Sequence, residues 1–568
     1  MRWFNKKRQS QLEVDEVLFD ATNVLGLNLD RLEGKRELPI SSKSIYKVGI
    51  VFTLVAIFFL GKVYNLQVTR GDEFYAIAES NSIDKTTIIA ERGVVYDRKG
   101  EMIVWNELDE RGIHDFPIRA YTDRLGLGQV LGYVSYPKKD SRGFYFRTEY
   151  IGRSGVESAY DETLKGVNGS KIVVEDALNH IVSEHSISSP VSGEPLNLSI
   201  DAELSEAMYQ IISTSSEQAH FRSGAAAIMD VKTGELIALT SFPSYDPEVM
   251  ADGHEVEIIE SYNKDDRLPF LNKIVSGAYT PGSIVKPFVA YGALAEKIID
   301  PNKTIVSTGE IVVPNPYNPS NPGHFTDWRA HGPMTMREAI AFSSNVYFYT
   351  IGGGFGDQKG LGITKMAEYY RLFGMGSLTG LNIAPEQAGV VPDPAWKAKT
   401  FNDDWRLGDT YFAAIGQFGT LATPIQMLRA YSALANGGQL LTPHVIKGKQ
   451  GDSVDLHLNQ DYLKIIHEGM RMTVTLNGGT ARGLERKDVA IAAKSGTAEV
   501  GSGNAYVNSW AAGFFPYEDP KYAFILMMDK APRSNALGAT RIMGDVVEWM
   551  SHNRPEYLGI KVEKEEEI

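Results

Sequence analysis

The chain has 568 residues, of which 43% are hydrophobic and 23% charged, so it has enough apolar residues for two or three folded domains. Its net charge is −14, and no basic run goes beyond Lys6-Lys7-Arg8, which argues against a nucleic-acid partner. The absence of cysteine excludes disulfides, thiolate nucleophiles, zinc fingers and iron–sulfur clusters, and it leaves the redox compartment open.

An apolar stretch at residues 45–68 follows a polar leader at residues 1–44. Its uninterrupted part, residues 48–61, is short for a membrane span, but Lys47 and Lys62 can reach the interface at its ends. A buried core helix is the alternative. We predict a membrane anchor, without the small-residue cleavage site of a signal peptide. The modest excess of basic residues before the stretch predicts a cytoplasmic N-terminus and an exported remainder.

Residues 69–195 are predicted to form a smaller unit of short strands and turns, which we call the pedestal. Residues 91–105 suggest two strands around the turn Asp97-Arg98-Lys99-Gly100, and residues 151–166 suggest a helix that begins and ends at glycine. No group of catalytic side chains gathers here. A structural or partner-binding role is expected.

Residues 196–557 are predicted to form an α+β domain, followed by an acidic tail at residues 558–568. A helix near residues 202–213 precedes a hairpin at residues 225–239, whose turn is closed by Gly234. Helices dominate the centre, and strands return at residues 489–500, 509–515 and 522–529 before a closing helix near residues 540–552. Strands at both ends predict an antiparallel sheet flanked by helices.

Three short motifs in this domain carry the chemistry. Ser283 and Lys286 stand one helical turn apart after a Pro-Gly turn, a spacing that is weak evidence by itself. Ser343-x-Asn345 follows, and then the strand-like segment that begins Lys494-Ser495-Gly496-Thr497. Together and in this order, these motifs are the signature set of active-site-serine penicillin-binding enzymes.

The residue types suit acyl transfer to a serine. Ser283 is the predicted nucleophile and Lys286 the predicted base, although which group takes the proton in related enzymes is disputed. Ser343 can connect Lys286 to the leaving nitrogen, and Asn345 can bind a substrate amide. Lys494 is expected to add positive charge that lowers the pKa of Lys286.

The third motif is also predicted to bind substrate. Ser495 and Thr497 offer hydroxyl groups to a substrate carboxylate, and Gly496 leaves the strand bare so that a peptide can add beside it. The backbone N–H groups of Ser283 and Thr497 form the expected oxyanion pair. This chemistry needs no metal and no cofactor, so neither is expected.

From the anchor to about residue 557, the chain resembles the class B penicillin-binding proteins, and within them the elongation-type group called penicillin-binding protein 2. Further segments carry the likeness: Asp327-Trp328-Arg329, Trp396-Lys397, residues 405–410, Ile415-Gly416-Gln417, residues 423–426, Arg92-Gly93, residues 97–100, residues 152–157 and residues 242–247. Two features depart from the pattern. Phe418 stands where relatives commonly have glycine, and the pedestal is short for the family.

The resemblance implies a D,D-transpeptidase of the penicillin-binding-protein fold, a target of β-lactams that cross-links peptidoglycan through a serine acyl-enzyme during elongation. Its substrate would be the D-Ala-D-Ala stem peptide. Its partners would be a membrane-embedded glycosyltransferase that polymerises lipid II and other proteins of the elongation machinery. The chain would be anchored once in the cell (inner) membrane with its catalytic domain outside, and its short pedestal favours a monofunctional enzyme.

Three alternatives remain at this point. A serine β-lactamase or a membrane-bound β-lactam sensor would carry the same motifs, and Glu386 lies where a lactamase keeps its hydrolytic base. A non-catalytic scaffold of the wall machinery would have kept the fold alone. His324, Asp327 and His331 lie close in sequence, but their spacing fits no standard metal motif.

Overall fold

The computed structural model describes residues 41–74, 83–140, 145–175, 181–315 and 318–560. The chain divides into two compact units, residues 1–85 with 172–185 and residues 86–171 with 186–568. The predicted leader before residue 41 and the acidic tail after residue 560 lie outside the described residues. The catalytic motifs all belong to the second unit.

The first unit contains the apolar helix. An α-helix, Ser42–Tyr64, begins at Ser41, whose side chain accepts a hydrogen bond from the Lys43 N–H, and it continues as a π-helical turn, Asn65–Thr69. An 18-residue window of this 28-residue segment has a mean hydropathy of 2.0, and none of the segment's residues is buried. Its length and composition fit a single-pass membrane anchor, since a core helix would have buried its apolar side chains.

The pedestal is built from short strands, as expected. Val95–Tyr96 pairs antiparallel with Met102–Glu107 around the turn at residues 97–100, which confirms the predicted hairpin. The expected single helix at residues 151–166 is wrong. The chain forms a strand, Ile151–Gly152, and two short helices, Gly155–Ala159 and Asp161–Leu164, because Gly155 has φ +58° and Tyr160 leaves helical geometry between them.

Charged side chains fill the centre of the pedestal. Arg92, Arg119 and Glu157 are fully buried as side chains, and the Glu157 carboxylate accepts hydrogen bonds from both guanidinium groups. Asp161 contacts Arg92 from the neighbouring helix at 2.7 Å. Because every buried charge here has an opposite partner, this ion-pair centre fixes how the short strands and helices meet.

The catalytic domain is organised around a five-stranded antiparallel sheet. Its strands stand in the order Leu236–Phe242, Ser223–Asp230, Tyr522–Pro532, Tyr506–Phe515 and Ala492–Val500. The hairpin turn at Gly234, with φ +83°, and the three late strands confirm the sequence prediction. Ala492–Val500 lies at the edge of the sheet, so one side of this strand is free to meet another chain.

Helices cover both faces of the sheet, which explains why its strands are apolar without alternation. Lys286–Ala295, Pro424–Ala435 and Gln460–Thr475 share one core with Ala225, Ala227 and Trp510. Ala202–Ala219 and Ala539–Asn553 share the other core with Ala226, Ala493 and Ala511. This arrangement is the predicted α+β architecture.

The other described helices with more than one turn are Pro247–Asp252, Val256–Lys264, Met336–Phe342, Asn345–Gly353, Ile363–Leu372, Pro394–Phe401 and Leu407–Ala414. Smaller strands include Ile118–Tyr121, Gly169–Glu175, Ile181–Ser188, Leu196–Asn197, Ile305–Ser307, Glu310–Val313, Gly323–Thr326, Gly332–Met334, Gln439–Leu441 and Ser453–Asp455.

Candidate active site

The first motif forms a tight turn that runs into a buried helix. Ser283 lies in the 3-10 turn Gly282–Val285, and Lys286 is the first residue of the helix Lys286–Ala295. Gly282 has φ +57°, and a Cβ there would lie 2.6 Å from the Thr497 carbonyl oxygen. Only glycine permits this approach, which brings the Ser283 turn against the strand that carries the third motif.

The Lys286 amine joins the first motif to the second. It donates to the Ser343 carbonyl at 2.7 Å, to the Ser343 hydroxyl at 3.3 Å and to the Asn345 side-chain oxygen at 2.8 Å. These three acceptors match the three N–H bonds of an ammonium group. After loss of a proton, one acceptor is released and the amine gains a lone pair, which is what a base needs. Among the described residues, the Ser283 hydroxyl has no hydrogen-bond partner.

Backbone conformation explains how Ser343 and Asn345 reach the same amine. Ser343 ends the helix Met336–Phe342 in the left-handed region, at φ +57°, and Asn345 begins the next helix, Asn345–Gly353. Ser344 caps this second helix by accepting from the Tyr347 N–H. The sharp turn aims both the carbonyl and the side chain of Ser343 at Lys286.

Asp327 holds this turn in place, a role that sequence reasoning missed. Its carboxylate accepts from the Ser344 hydroxyl at 2.7 Å and from the Val346 N–H at 3.0 Å, at the beginning of the helix Asn345–Gly353. In the sequence, the aspartate stood out only as part of Asp327-Trp328-Arg329 and in the set with His324 and His331, whose spacing fits no metal motif. A negative charge at a helix N-terminus is stabilising, so Asp327 positions the second motif.

Burial sets the protonation of the two lysines of the site. Burial lowers the pKa of Lys286 to about 7, and the nearby Asp327 carboxylate opposes this shift. Burial, and then the positive charge of Lys286, lowers the pKa of Lys494 well below its ordinary value. We expected the positive charge of Lys494 to lower the pKa of Lys286, but burial accounts for that shift. Loss of water around Lys286 is the cause of its lowered pKa, and the charge effect between the two amines acts on the pKa of Lys494.

The third motif lies on the edge strand Ala492–Val500. Lys494 is fully buried and donates to the Ser495 carbonyl at 3.0 Å, and the Ser495 hydroxyl donates to that of Thr480 at 2.6 Å. Thr497 is exposed beside the Ser283 turn. Thr480, in the loop after the helix Gln460–Thr475, is a second site residue that no sequence motif indicated.

Gly496 has a packing role in addition to the predicted role beside a bound peptide. A Cβ at this position would lie 2.9 Å from the Pro281 carbonyl oxygen and 3.0 Å from the Cβ of Trp510. The glycine therefore lets the strand pack against the Ser283 turn, on the face of the sheet opposite to Ser495 and Thr497.

Phe418, which departs from the family pattern, lies in a loop next to the Ser283 turn. The Gly416 carbonyl accepts a hydrogen bond from the Gly282 N–H at 3.0 Å. This bond connects the loop that contains Phe418 to the Ser283 turn. Phe418 has φ +48°, a conformation that favours glycine. Ring contacts with Trp396, Phe401 and Trp405 hold it there.

The residues that suggested a β-lactamase base or a metal site make other contacts in the structure. Glu386 accepts from the N–H groups of Thr379 and Gly380 at 2.6 and 2.7 Å, so it ties a loop together. His324 contacts Glu310, whereas His331 lies 3.7 Å from Asp327. Within the described ranges, no group of three or more metal-ligating side chains comes together.

The comparisons with known proteins agree with this geometry. Residues 224–548 match the family described as penicillin binding protein transpeptidase domain, and residues 112–198 match the penicillin-binding protein dimerisation domain. Peptidoglycan D,D-transpeptidase MrdA of Acinetobacter baumannii is 32% identical over 395 residues, which cover 66% of this chain and 56% of the relative. The MrdA of Escherichia coli is 29% identical over 74% of this chain and 69% of its own length.

Solved structures are similar over most of the chain. Penicillin-binding protein 2 of Helicobacter pylori in complex with MreC gives a TM-score of 0.68 at 26% identity, over 84% of this chain and 99% of that one. Penicillin-binding protein 2 of Pseudomonas aeruginosa in complex with WCK 5153 gives 0.67 at 27% identity, over 84% and 100%. The chain belongs to the penicillin-binding protein transpeptidase family.

Proposed function

We propose that this chain is a peptidoglycan D,D-transpeptidase, which cross-links stem peptides through an acyl-enzyme on Ser283 during cell-wall elongation. The observation that carries the proposal is the fully buried Lys286 amine, held by Ser343 and Asn345 one helical turn from a partly exposed serine. The D,D-transpeptidase activity of the MrdA relatives supports it.

Acylation begins when neutral Lys286 takes the Ser283 proton as the serine oxygen attacks the carbonyl of the penultimate D-Ala. The N–H groups of Ser283 and Thr497 stabilise the oxyanion. Lys286 then returns the proton through the Ser343 hydroxyl to the departing nitrogen. The peptide bond breaks, free D-Ala leaves and an ester remains on Ser283. An amine of a second stem peptide attacks this ester, and its proton follows the reverse path.

Lys494, Ser495 and Thr497 are the groups that we assign to the terminal carboxylate of the stem peptide. Ser495 and Thr497 lie on the same face of the edge strand, and Lys494 adds donor capacity from the other face. Asn345 is assigned to an amide of the substrate backbone. An extended peptide can pair with the free edge of Ala492–Val500 as an additional strand.

The cellular setting is part of the same proposal. We assign residues 69–195 to a pedestal and residues 196–557 to the transpeptidase domain, with the N-terminus in the cytoplasm and the catalytic domain outside the cell membrane. Partners are a membrane-embedded glycosyltransferase that polymerises lipid II and other elongation proteins. The complex of the Helicobacter pylori relative with MreC supports a partner of that machinery.

Benzylpenicillin and the full-length protein in detergent provide the test. We expect one stable adduct per chain, on Ser283, and no adduct in Ser283→Ala. Rapid multiple turnover of the drug would instead favour a β-lactamase. If cells that carry only Ser283→Ala build their walls normally, the scaffold alternative is favoured and the transpeptidase proposal fails.

A further inference from the structure

The edge strand of the active site carries one more polar side chain in line with Ser495 and Thr497. Side chains alternate between the two faces of a strand, so Ser495, Thr497 and Glu499 lie on the same face at steps of two residues. Ser495 and Thr497 have roles in the proposed function. Glu499, the third member of this row, has none.

Glu499 is built into a mixed-charge group at the end of the row. Its carboxylate contacts the Arg533 guanidinium at 2.7 Å and accepts from the Asn504 side-chain amide at 2.9 Å. The side chains of Arg533 and Glu499 are 62% and 38% exposed, so both charges can meet a ligand. An exposed ion pair adds little to stability, so stability alone does not explain the arrangement.

Glu499 stands two residues beyond Thr497, whose backbone lies against the Ser283 turn. The Ser283 turn meets the strand at Gly496 and Thr497. Glu499 therefore stands on the far side of the reacting serine from Lys494 and Ser495.

The alignment of a bound donor peptide with the edge strand then indicates which substrate residue lies beside Glu499. With the terminal carboxylate at Ser495 and the reacting carbonyl near Thr497, the donor peptide runs on towards Glu499. A strand advances ~3.4 Å per residue, so the residue just before the penultimate D-Ala lies beside Glu499. This is the third residue of the stem peptide.

We propose that Glu499 and Arg533 form a specificity subsite for the side chain of that third residue, and that they select a side chain ending in both an amine and a carboxylate. The amine would pair with Glu499 and the carboxylate with Arg533, each through a charge-assisted hydrogen bond. Asn504 keeps Glu499 in place. The inference rests on the proposed function, since it assumes a D-Ala-D-Ala donor in the groove.

The test measures release of D-Ala from three soluble stem peptides by the full-length protein in detergent. The peptides differ only at the third side chain, which ends in an amine with a carboxylate, in an amine alone, or in a methyl group. We expect kcat/KM to fall at least tenfold from the first peptide to the last. In Glu499→Gln and in Arg533→Gln this preference should shrink to within about threefold, mainly through KM.

Benzylpenicillin, which has no third residue, separates the two proposals. Its acylation rate should stay within twofold in both variants and in the control Glu260→Gln, which removes an exposed ion pair with Lys264 on a distant helix. If wild type acylates normally but shows no preference, or if the variants keep it, the subsite is wrong. If both variants lose acylation by penicillin, the pair is structural and the inference also fails. Failure of wild-type acylation would refute the proposed function itself.

Discussion

The pedestal and the active site both bury basic side chains, but the pKa of the buried group is raised in the pedestal and lowered in the active site. In the pedestal, burial lowers the pKa of Arg92, but the carboxylates of Glu157 and Asp161 outweigh it, so the pKa is raised. In the active site, Lys286 meets a carbonyl, a hydroxyl and an amide oxygen, and burial lowers its pKa to about 7. The guanidinium of Arg92 stays charged, as guanidinium groups in proteins do, and its carboxylate partners offset the cost of burial, whereas the Lys286 amine has no carboxylate in hydrogen-bond contact and can exchange a proton.

Replacing Lys286 should give the largest effect on chemistry. Lys286→Met fills a similar volume without an amine, so we expect the acylation rate with benzylpenicillin to fall about 10²–10⁴-fold. The midpoint of thermal unfolding should stay equal or rise, because a buried amine is replaced by an apolar group. A large loss of stability would place Lys286 in the same class as the pedestal arginines.

Replacing Glu157 should give the opposite pattern. Glu157→Gln leaves Arg119 buried beside a neutral amide and Arg92 with Asp161 as its remaining carboxylate, which costs about 3–5 kcal/mol. Denaturant unfolding, with hydrogen exchange of pedestal amides, measures the loss. At temperatures where the protein is folded, its acylation rate should remain within about threefold of wild type. A tenfold lower rate would show that the pedestal centre tunes the chemistry.

Gly496→Ala tests how closely the strand must approach the nucleophile turn. The added methyl group would lie 2.9 Å from the Pro281 carbonyl oxygen, so the strand must shift. A small displacement of reacting groups should lower the acylation rate about tenfold to a hundredfold. Gly538→Ala is the control, because its nearest atom outside the adjacent residues, the Ser509 hydroxyl oxygen, is 3.6 Å away. An unchanged rate in Gly496→Ala would contradict the packing explanation.

Asp327→Asn should have the smallest effect. The Asp327 charge raises the pKa of Lys286 against the larger effect of burial. Removing that charge should move the midpoint of the pH–rate profile to lower pH, by less than about one unit. The profile is measured by stopped-flow acylation. A shift to higher pH would mean that Asp327 acts through the position of Ser344 and Val346 and that its charge is unimportant.

The sequence was informative about chemistry and about the sheet because both are local patterns. Ser283, Lys286, Ser343 and Lys494 could be identified from spacing, and the late strands from runs of small apolar residues. The role of Asp327 could not, because its carboxylate reaches the Val346 N–H across 19 residues of chain. The packing role of Gly496 was also hidden, because it depends on Pro281 and Trp510 at distant positions.

The most direct test of the account is the pH dependence of Ser283 acylation by benzylpenicillin in the full-length protein. Lys286 must be neutral to accept the serine proton, and the neutral form prevails above its pKa. We predict that the rate rises with pH through a midpoint near 7, set by the lowered pKa of Lys286, and then levels off. A profile that stays low until pH reaches the ordinary lysine range, or that falls as pH rises through 7, would contradict it.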